Sequence, residues 1–332
     1  MESPRVALGI SRAMWQKLLC DPVLAAYAIF GVKLDAFQAC RLRYYWWCQN
    51  VVDSSGVSSG KTISIWLFLN LRAILIPDQE MAIYYPVFDQ GKNSFWNYYT
   101  EFKRAPIFTS QLGNSLKLEA GEEVSGDGTV HGANSYKAIF RNGNKLLMPA
   151  TNMAKDMITQ GSVRLNVMVV EEWPDVDAQS DGINKQLIGR TSRGSWNQFH
   201  PLWGNHILLS GHAQTRMHPS SVRMRSHQRK AAAGDPNWVN ISYCFKNYSD
   251  RVSHTGKTFR QQWRVEGTIA NDKETSSKGD WLGKGLGIWG ANGEGWFSEE
   301  ALLRCQAAGR ARGLTPCTSR AQFFEAHPAL VE

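Results

Sequence analysis

Short apolar runs alternate with polar and helical stretches along the first half of the chain, and each run ends in polar residues or glycine. Runs of this kind are typical of strands that are buried in a parallel sheet. Because such strands alternate with helices, the pattern predicts an α/β fold with a mainly parallel central sheet flanked by helices. The predicted strands are 51–52, 81–86, 137–140, 145–149, 167–170 and 206–210.

One apolar helix and one change in amino-acid composition complete this pattern. The segment ISIWLFLNLRAIL (63–75) is apolar on nearly every side. A helix that is hydrophobic all round lies in a core, so this segment predicts a buried helix. Beyond about residue 240 the sequence becomes rich in glycine, tryptophan and polar residues. We therefore expect a core over residues 1–240 and a smaller lid or linker subdomain over residues 241–332.

The composition is that of a folded, basic protein. Of the 332 residues, 43% are hydrophobic, and the formal net charge is +8. The positive charge favours a polyanionic partner such as nucleic acid. The longest apolar run is interrupted by Asn70 and Arg72 and is too short to span a bilayer, and the N-terminus lacks a signal-peptide core. The six cysteines include no CxxC pair, which indicates buried thiols in a cytoplasmic protein and disfavours a zinc site.

The segment SSGVSSGKT (54–62) lies between the first predicted strand and the buried helix. A phosphate-binding loop needs consecutive backbone N–H groups, a helix N-terminus, a lysine and a hydroxyl that binds magnesium. The usual pattern begins with glycine where Ser55 stands here, so the match is one residue short. The predicted nucleotide-binding residues are Gly56, Val57, Ser58, Ser59, Gly60, Lys61 and Thr62.

Two adjacent glutamates follow the predicted strand 167–170. A triphosphatase holds its metal ion and orients the attacking water with carboxylates at the end of a neighbouring strand. The sequence therefore predicts that Glu171 binds magnesium together with Thr62, and that Glu172 positions the water while Lys61 holds the phosphates.

Four further segments stand in a recognisable order around this loop and this acid pair. LDAFQ (34–38) precedes the loop, and YYPVFDQGKNSFW (84–96) follows the second predicted strand. FRNGNKLLMPATN (140–152) and ITQGSVRLNVMVVEEW (158–173) lead to the two glutamates, and LLSGHAQT (208–215) comes after them. In this order the segments resemble the large subunit of tailed-phage and herpesvirus terminases, the ATP-driven motors that move DNA into a capsid.

The resemblance covers most of residues 34–215 and implies a P-loop NTPase fold of the ASCE type. It implies that Gln38 reads the adenine edge of ATP, and that Ser210, Gly211 and His212 couple hydrolysis to movement. It also implies Mg²⁺, double-stranded DNA, a portal protein, a small terminase subunit and a ring of identical chains as partners. The protein is then expected in the host cytoplasm, docked transiently on the procapsid portal. We find no counterpart of the nuclease domain that full-length terminases usually carry.

Two positions depart from the family pattern. Val57 stands where many terminases have an arginine in the loop, and Glu171 replaces the usual aspartate. Because a transferring phosphoryl group needs positive charge, the missing arginine implies an arginine finger from elsewhere in this chain or from a neighbouring subunit. The candidates are Arg190 and Arg193, with Arg164 behind them.

An acid-free basic segment adds an argument that does not depend on the family. Residues 182–234 contain no aspartate or glutamate and eight lysines and arginines. Positive side chains without negative neighbours can bind the phosphate backbone of DNA without recognising its bases, as a translocating motor requires. The predicted DNA-binding residues are Arg216, Arg223, Arg225, Arg229 and Lys230.

Two other functions stay open on the sequence. A helicase-like nucleic-acid-dependent ATPase would use Gln38 and the same glutamates and would differ by separating strands. A DNA-binding scaffold with a decayed nucleotide site would keep its DNA affinity without hydrolysis. A small-molecule kinase is disfavoured by the adenine segment and by the basic stretch.

Overall fold

The computed structural model describes residues 9–56, 59–77, 79–95, 97, 100–106, 123–124, 129–132, 135–140, 142–149, 165–174, 206–212, 220–241, 273–277, 281, 307 and 311. Six predicted site residues lie outside the described residues: Val57, Ser58, Arg164, Arg190, Arg193 and Arg216. Most of the predicted lid subdomain lies outside them as well.

Helices and strands alternate after a helical N-terminal region. The helices are α1 (Arg12–Cys20), α2 (Pro22–Phe30), α3 (Ala36–Trp47), α4 (Lys61–Leu75), α5 (Phe88–Ser94), α6 (Thr100–Lys103) and α7 (Ser220–Ala232). The strands are β1 (Asn50–Asp53), β2 (Glu80–Tyr84), β3 (Glu123–Val124), β4 (Thr129–Gly132), β5 (Ser135–Ile139), β6 (Lys145–Pro149), β7 (Val167–Val170), β8 (His206–Ser210) and β9 (Trp238–Ile241). No helix in the described part of the chain is long and apolar enough to cross a membrane.

These strands form one sheet in the order β3-β4-β5-β6-β2-β7-β8-β1-β9. The pairs from β6 to β9 along this order are parallel, whereas β3, β4, β5 and β6 pair in antiparallel fashion. The prediction of a mainly parallel α/β sheet is therefore confirmed. The antiparallel part is a meander added at one edge.

The apolar runs predict the central strands well and the edges poorly. The predicted strands 145–149, 167–170 and 206–210 coincide with β6, β7 and β8, and the other three differ only at their ends. The sequence did not predict the strands β3, β4 and β9 or the helices α1, α2, α3, α6 and α7. In β9 only the last residue is buried, so this edge strand carries little of the apolar signal that marks a central strand.

Helix α4 is the centre of the larger of two hydrophobic clusters. Every residue from Ser64 to Leu75 is buried, which confirms the prediction from the segment 63–75. Residues of α2 and α3 pack in the same cluster, while Trp173 belongs to a smaller cluster that includes Val52 and Met168. Residues of β1 and of β7 alternate between the two clusters, so both faces of each strand are buried. This explains why both strands are continuous apolar runs in the sequence.

The turn that contains Asn142 and Gly143 closes the hairpin of β5 and β6, and its side chains cap the C-terminus of α4. Asn144 Nδ2 donates to the carbonyl oxygens of Ala73 (2.7 Å) and Ile76 (2.6 Å). Asn142 Nδ2 donates to Ala73 as well, at 2.8 Å. Asn144 Oδ1 accepts from the backbone N–H of Gln79 at 2.6 Å. The turn thus satisfies carbonyls that the helix C-terminus leaves without an intrahelical partner.

We expect Asn144→Ala to lower the free energy of unfolding by about 3 kcal/mol, because it leaves buried backbone groups without partners. Lys145→Ala is the matched control, since it removes only the exposed ion pair of Lys145 with Glu80 and should cost at most about 1 kcal/mol. Urea unfolding of both variants checks the difference. Equal losses in the two variants would contradict this role of Asn144.

Candidate active site

The predicted site segments meet where three neighbouring parallel strands end. β1 pairs with β8 and β8 pairs with β7, with Asp53 opposite Ser210 and Val170 opposite Leu209. The backbone N–H of Gly211 donates to the carbonyl oxygen of Asp53 at 3.0 Å. The loop after β1, the glutamates after β7 and the residues after β8 therefore share one edge of the sheet.

The loop after β1 ends at Gly60, which adopts a left-handed conformation with φ 76° and precedes the first residue of α4. Lys61 reaches back across the loop, and its Nζ donates to the carbonyl oxygens of Ser55 (2.7 Å) and Gly56 (3.1 Å). Burial lowers the pKa of Lys61, although the nearby Asp53 carboxylate acts in the opposite direction. A buried cation thus lies at the N-terminus of a helix, where the first N–H groups have no intrahelical partner, and this combination suits an anion.

Thr62 and Glu171 lie in contact, as predicted for a shared metal ion. The Thr62 hydroxyl donates to Glu171 Oε1. Burial raises the pKa of Glu171, and the nearby Tyr85 side chain opposes the effect of burial by lowering it. The Tyr85 hydroxyl, however, donates its hydrogen bond to Ser94 Oγ at 2.7 Å. Glu171 Oε2 is therefore buried without a hydrogen-bond partner among the described residues. A buried carboxylate oxygen beside a hydroxyl fits the oxygen ligands that Mg²⁺ prefers.

Glu172 faces a different environment from its neighbour. Its Oε2 lies 2.9 Å from Nδ1 of His212. Burial alone would raise the pKa of Glu172, but the His212 hydrogen bond and the Lys61 charge outweigh it, so the pKa is lowered. Of the non-glycine residues that the structure describes, Glu172 alone has a left-handed backbone, with φ 48°. Such strain is concentrated at functional sites.

Gly211 allows this contact between the two strand ends. A Cβ atom at Gly211 would lie 2.7 Å from Pro174 Cδ and 3.4 Å from Glu172 Cα. Any larger residue would push the turn after β7 away from the end of β8. The glycine of the predicted coupling segment is therefore required by close packing, and it keeps His212 beside Glu172.

The sequence analysis missed three residues that lie behind the loop, namely Arg41, Tyr45 and Asp53. Asp53 is fully buried and lies 2.8 Å from Arg41 Nε, and the Tyr45 hydroxyl donates to it at 2.6 Å. Burial tends to raise the pKa of Asp53, but Arg41 and Lys61 outweigh burial and lower it. The available signal was a charged residue, Asp53, placed directly after the apolar pair Val51 and Val52.

Gln38 lies in the first turn of α3 and takes part in a capping box. Asp35 Oδ1 accepts from the backbone N–H of Gln38 at 2.7 Å, and Gln38 Oε1 accepts from the backbone N–H of Asp35 at 3.3 Å. The cap therefore uses the side-chain oxygen of Gln38 and leaves its amide nitrogen outside the cap. Adenine recognition by Gln38 stays a prediction.

Within the basic segment, residues 182–234, the structure describes β8 with Gly211 and His212, and also α7, which packs against β9 and β1. Arg225, Arg229 and Lys230 are exposed, and Lys230 Nζ lies 3.7 Å from the ring centroid of Trp238. His227 is buried on the same helix, and burial, followed by the charges of Arg223 and Lys230, lowers its pKa to about 4. His227 is thus neutral near pH 7, so the positive charge of α7 comes from its arginines and Lys230.

Neither a protein-family model nor a curated protein matches the sequence. The fold matches solved structures, among them the HK97 bacteriophage large terminase, with a TM-score of 0.54 and 12% identity over 77% of this chain and 50% of that chain. An arginine-to-alanine variant of a Thermus phage large terminase ATPase domain has a TM-score of 0.51 and 10% identity over 81% of this chain and 99% of that one. A large terminase from a thermophilic bacteriophage, in complex with ADP, has a TM-score of 0.50 and 14% identity over 77% and 54%.

At these identities the likeness shows the fold, which is the P-loop ATPase fold of phage large terminases. This chain spans about half the length of the HK97 and thermophilic-phage large terminases. It matches almost the whole of the isolated Thermus phage ATPase domain. The fold predicted from the order of the sequence segments is therefore confirmed.

The two glutamates should respond to amidation in opposite directions. Without divalent cations at pH 7, we expect Glu171→Gln to raise the free energy of unfolding and Glu172→Gln to lower it. A raised pKa gives stability that is complete below the unfolded glutamate value of about 4.3 and is lost as the pH rises through the folded value. The lowered pKa of Glu172 gives stability above about 4.3 that is lost as the pH falls through the folded value.

Urea unfolding at several pH values between 4 and 8, in the presence of a chelator, measures both effects. Each variant serves as the control for the other, because the two residues are adjacent and the substitution is the same. Shifts of the same sign in both variants would contradict the difference in environment.

Proposed function

We propose that this chain hydrolyses ATP and uses the energy to translocate double-stranded DNA into a viral procapsid. The observation that carries the proposal is the meeting of Lys61, Thr62, Glu171, Glu172 and His212 at one edge of a sheet with the P-loop ATPase fold. A lysine, a hydroxyl and two carboxylates in this arrangement are the groups that phosphoryl transfer to water requires.

Nucleotide binding is the first part of the proposal. Lys61 and the backbone N–H groups from Ser58 to Gly60 would hold the phosphates, and the start of α4 favours their negative charge. Thr62 and Glu171 would hold Mg²⁺, which supplies charge neutralisation of the phosphate oxygens when it is bound. The binding of ADP by the thermophilic-phage terminase of the same fold supports the nucleotide assignment.

Glu172 would orient the attacking water. Its lowered pKa keeps the carboxylate ionised near neutral pH, so it accepts a hydrogen bond from the water and aligns the water oxygen with the terminal phosphorus. The new bond from this oxygen to phosphorus replaces the bond to the leaving oxygen of ADP. The products are ADP and inorganic phosphate.

Movement of DNA is the second part. His212 contacts Glu172, and Gly211 contacts the turn that carries both glutamates, so a change at the terminal phosphate would reach β8 directly. The exposed cations of α7, with Arg216 upstream, would hold the duplex through its phosphates. The portal protein, the small terminase subunit, the ring of subunits and the location at the procapsid belong to this proposal through the resemblance.

The arginine finger also belongs to the proposal. Arg190 and Arg193, with Arg164 behind them, are the candidates in this chain. A finger supplied by a neighbouring subunit would tie hydrolysis to assembly of the ring, because the transition-state charge is then complete only between two chains.

We expect ATP hydrolysis to rise when linear double-stranded DNA is added, and to fall at least about 100-fold in Lys61→Ala and in Glu172→Ala. Lys61→Ala removes the cation at the phosphates, and Glu172→Ala removes the acceptor for water. Phosphate release is measured at equal folded concentration, with and without DNA. Lys33→Ala is the control, because Lys33 is exposed outside the loop.

Each result separates the proposal from its rivals. Turnover that persists in both variants would mean that this edge of the sheet is not the catalytic site. DNA affinity without any hydrolysis in the parent chain would favour a scaffold with a decayed nucleotide site. Strand separation coupled to hydrolysis would favour the helicase-like ATPase.

The double variant Arg225→Ala/Arg229→Ala should weaken DNA binding equally for unrelated duplex sequences. Two fewer phosphate contacts should reduce the slope of log affinity against log salt by about 2. Fluorescence anisotropy with labelled duplexes at several salt concentrations measures this slope. Arg104→Ala is the control, since Arg104 is an exposed arginine that follows α6 and pairs with Glu101 of that helix, away from α7. An unchanged slope would place the DNA on another surface.

A further inference from the structure

Arg41 reaches from α3 into the end of the phosphate loop. Its Nη1 donates to the carbonyl oxygen of Ser59 at 2.5 Å, and its Nη2 donates to Ser59 Oγ at 3.1 Å. Its Nε lies 2.8 Å from Asp53 Oδ2, and neither side chain is exposed to solvent. One guanidinium therefore contacts both the strand before the loop and the last residue before Gly60.

Asp53 holds the other end of the same loop. Its Oδ1 accepts from the backbone N–H of Ser55 at 3.0 Å and from Ser55 Oγ at 2.5 Å. Its Oδ2 accepts from the Tyr45 hydroxyl at 2.6 Å. The pair of Arg41 and Asp53 thus fixes the beginning of the loop at Ser55 and its end at Ser59.

The contact with the Ser59 carbonyl has a stereochemical consequence. The peptide bond between Ser59 and Gly60 is trans, because the structure contains no cis peptide bond among its described residues. In a trans peptide the carbonyl and the following N–H point in opposite directions. Because Arg41 holds the carbonyl of Ser59, the N–H of Gly60 points away from α3. This N–H is one of the groups predicted to bind phosphate.

Stability alone does not explain this ion pair. Burying two charges has a desolvation cost that their attraction offsets only with excellent geometry, and apolar replacements of a buried pair are often as stable. Arginine offers a planar set of donors in fixed directions, which lysine does not. The three contacts of Arg41 use this property, so its shape matters as well as its charge.

We propose that Arg41 is a positioning residue for the nucleotide phosphates, which sets the orientation of the Ser59–Gly60 peptide through its contacts with Ser59 and Asp53. The inference rests on the proposed function, since it assigns a role at the same phosphate site. Arg41 lies three residues after Gln38 on one face of α3, so the helix that carries the predicted adenine contact also aligns the phosphate loop.

The test compares ADP with AMP, which lacks the second phosphate. Arg41→Lys keeps a positive charge near Asp53 but replaces the planar guanidinium by a single ammonium group, which cannot reproduce the fixed directions of the three contacts with Asp53, the Ser59 carbonyl and the Ser59 hydroxyl. We expect the ADP affinity of Arg41→Lys to fall about tenfold, while its AMP affinity stays within about twofold of the parent. Titration calorimetry on the full chain measures both affinities, and thermal unfolding without ligand checks the fold.

Two further variants sharpen the comparison. Arg43→Lys is the matched control on the same helix, because Arg43 is exposed and pairs only loosely with Asp21 at 3.4 Å. Its ADP and AMP affinities should equal those of the parent. The double variant Arg41→Met/Asp53→Asn removes both buried charges; the remaining amide oxygen can still accept from Ser55, and the amide NH2 group can donate to the Tyr45 hydroxyl oxygen. This double variant should lose affinity for ADP but not for AMP. It tests the role of Arg41 if Arg41→Lys does not fold.

The outcomes separate this inference from the proposed function. A parent chain that binds no ADP would overturn both. A parent that binds ADP, with a folded Arg41→Lys that binds it equally well, would overturn only the role of Arg41. Parallel losses of ADP and AMP affinity would also overturn it, because a general structural defect does not single out the second phosphate.

Discussion

The parallel pairing of β7, β8 and β1 is the constraint on which the candidate site depends. Parallel strands bring their carboxyl ends to one edge, and here the register places Asp53 opposite Ser210 and Val170 opposite Leu209. A phosphate loop, an acid pair and a histidine that lie far apart in the sequence therefore emerge side by side. A slip of one residue in either pairing would turn every side chain of the slipped strand to the opposite face, and a slip between β7 and β8 would separate Glu172 from His212.

Burial gives the polar groups of this edge distinct properties. Lys61, Asp53, Arg41 and Glu171 are all buried, and each would be unfavourable without compensation. Lys61, Asp53 and Arg41 satisfy one another or the loop backbone. Glu171 keeps one oxygen without a hydrogen-bond partner among the described residues. Under the proposed function, this difference would divide the work between the two adjacent glutamates, with Glu171 suited to a cation and Glu172 held as an ionised acceptor.

The sequence predicts what local pattern encodes. The apolar runs locate the central strands and α4, and the order of the segments locates Lys61, Thr62, Glu171 and Glu172, all of which the structure brings together. Contacts made across the fold were not predictable in the same way. The bond from Arg41 to Ser59 spans 18 residues, and the contact of Glu172 with His212 spans 40. No periodicity records which polar side chains meet after folding, and an edge strand such as β9 lacks the buried pattern that reveals a central one.

The loop is also attached to the edge strand that ends the described core. The backbone N–H of Ser54 donates to the carbonyl oxygen of Ile241 at 2.9 Å, and Asn50 to Asp53 pair in register with Trp238 to Ile241. α7 packs on β9, so its cations are carried by the strand that is hydrogen-bonded to the start of the loop. A paired parallel ladder resists sliding, because every register shift breaks several hydrogen bonds at once. The loop after β1, β1 itself, β9 and α7 are therefore held as one continuous unit. Under the proposed function, the motion that moves DNA would arise between this unit and other parts of the assembly.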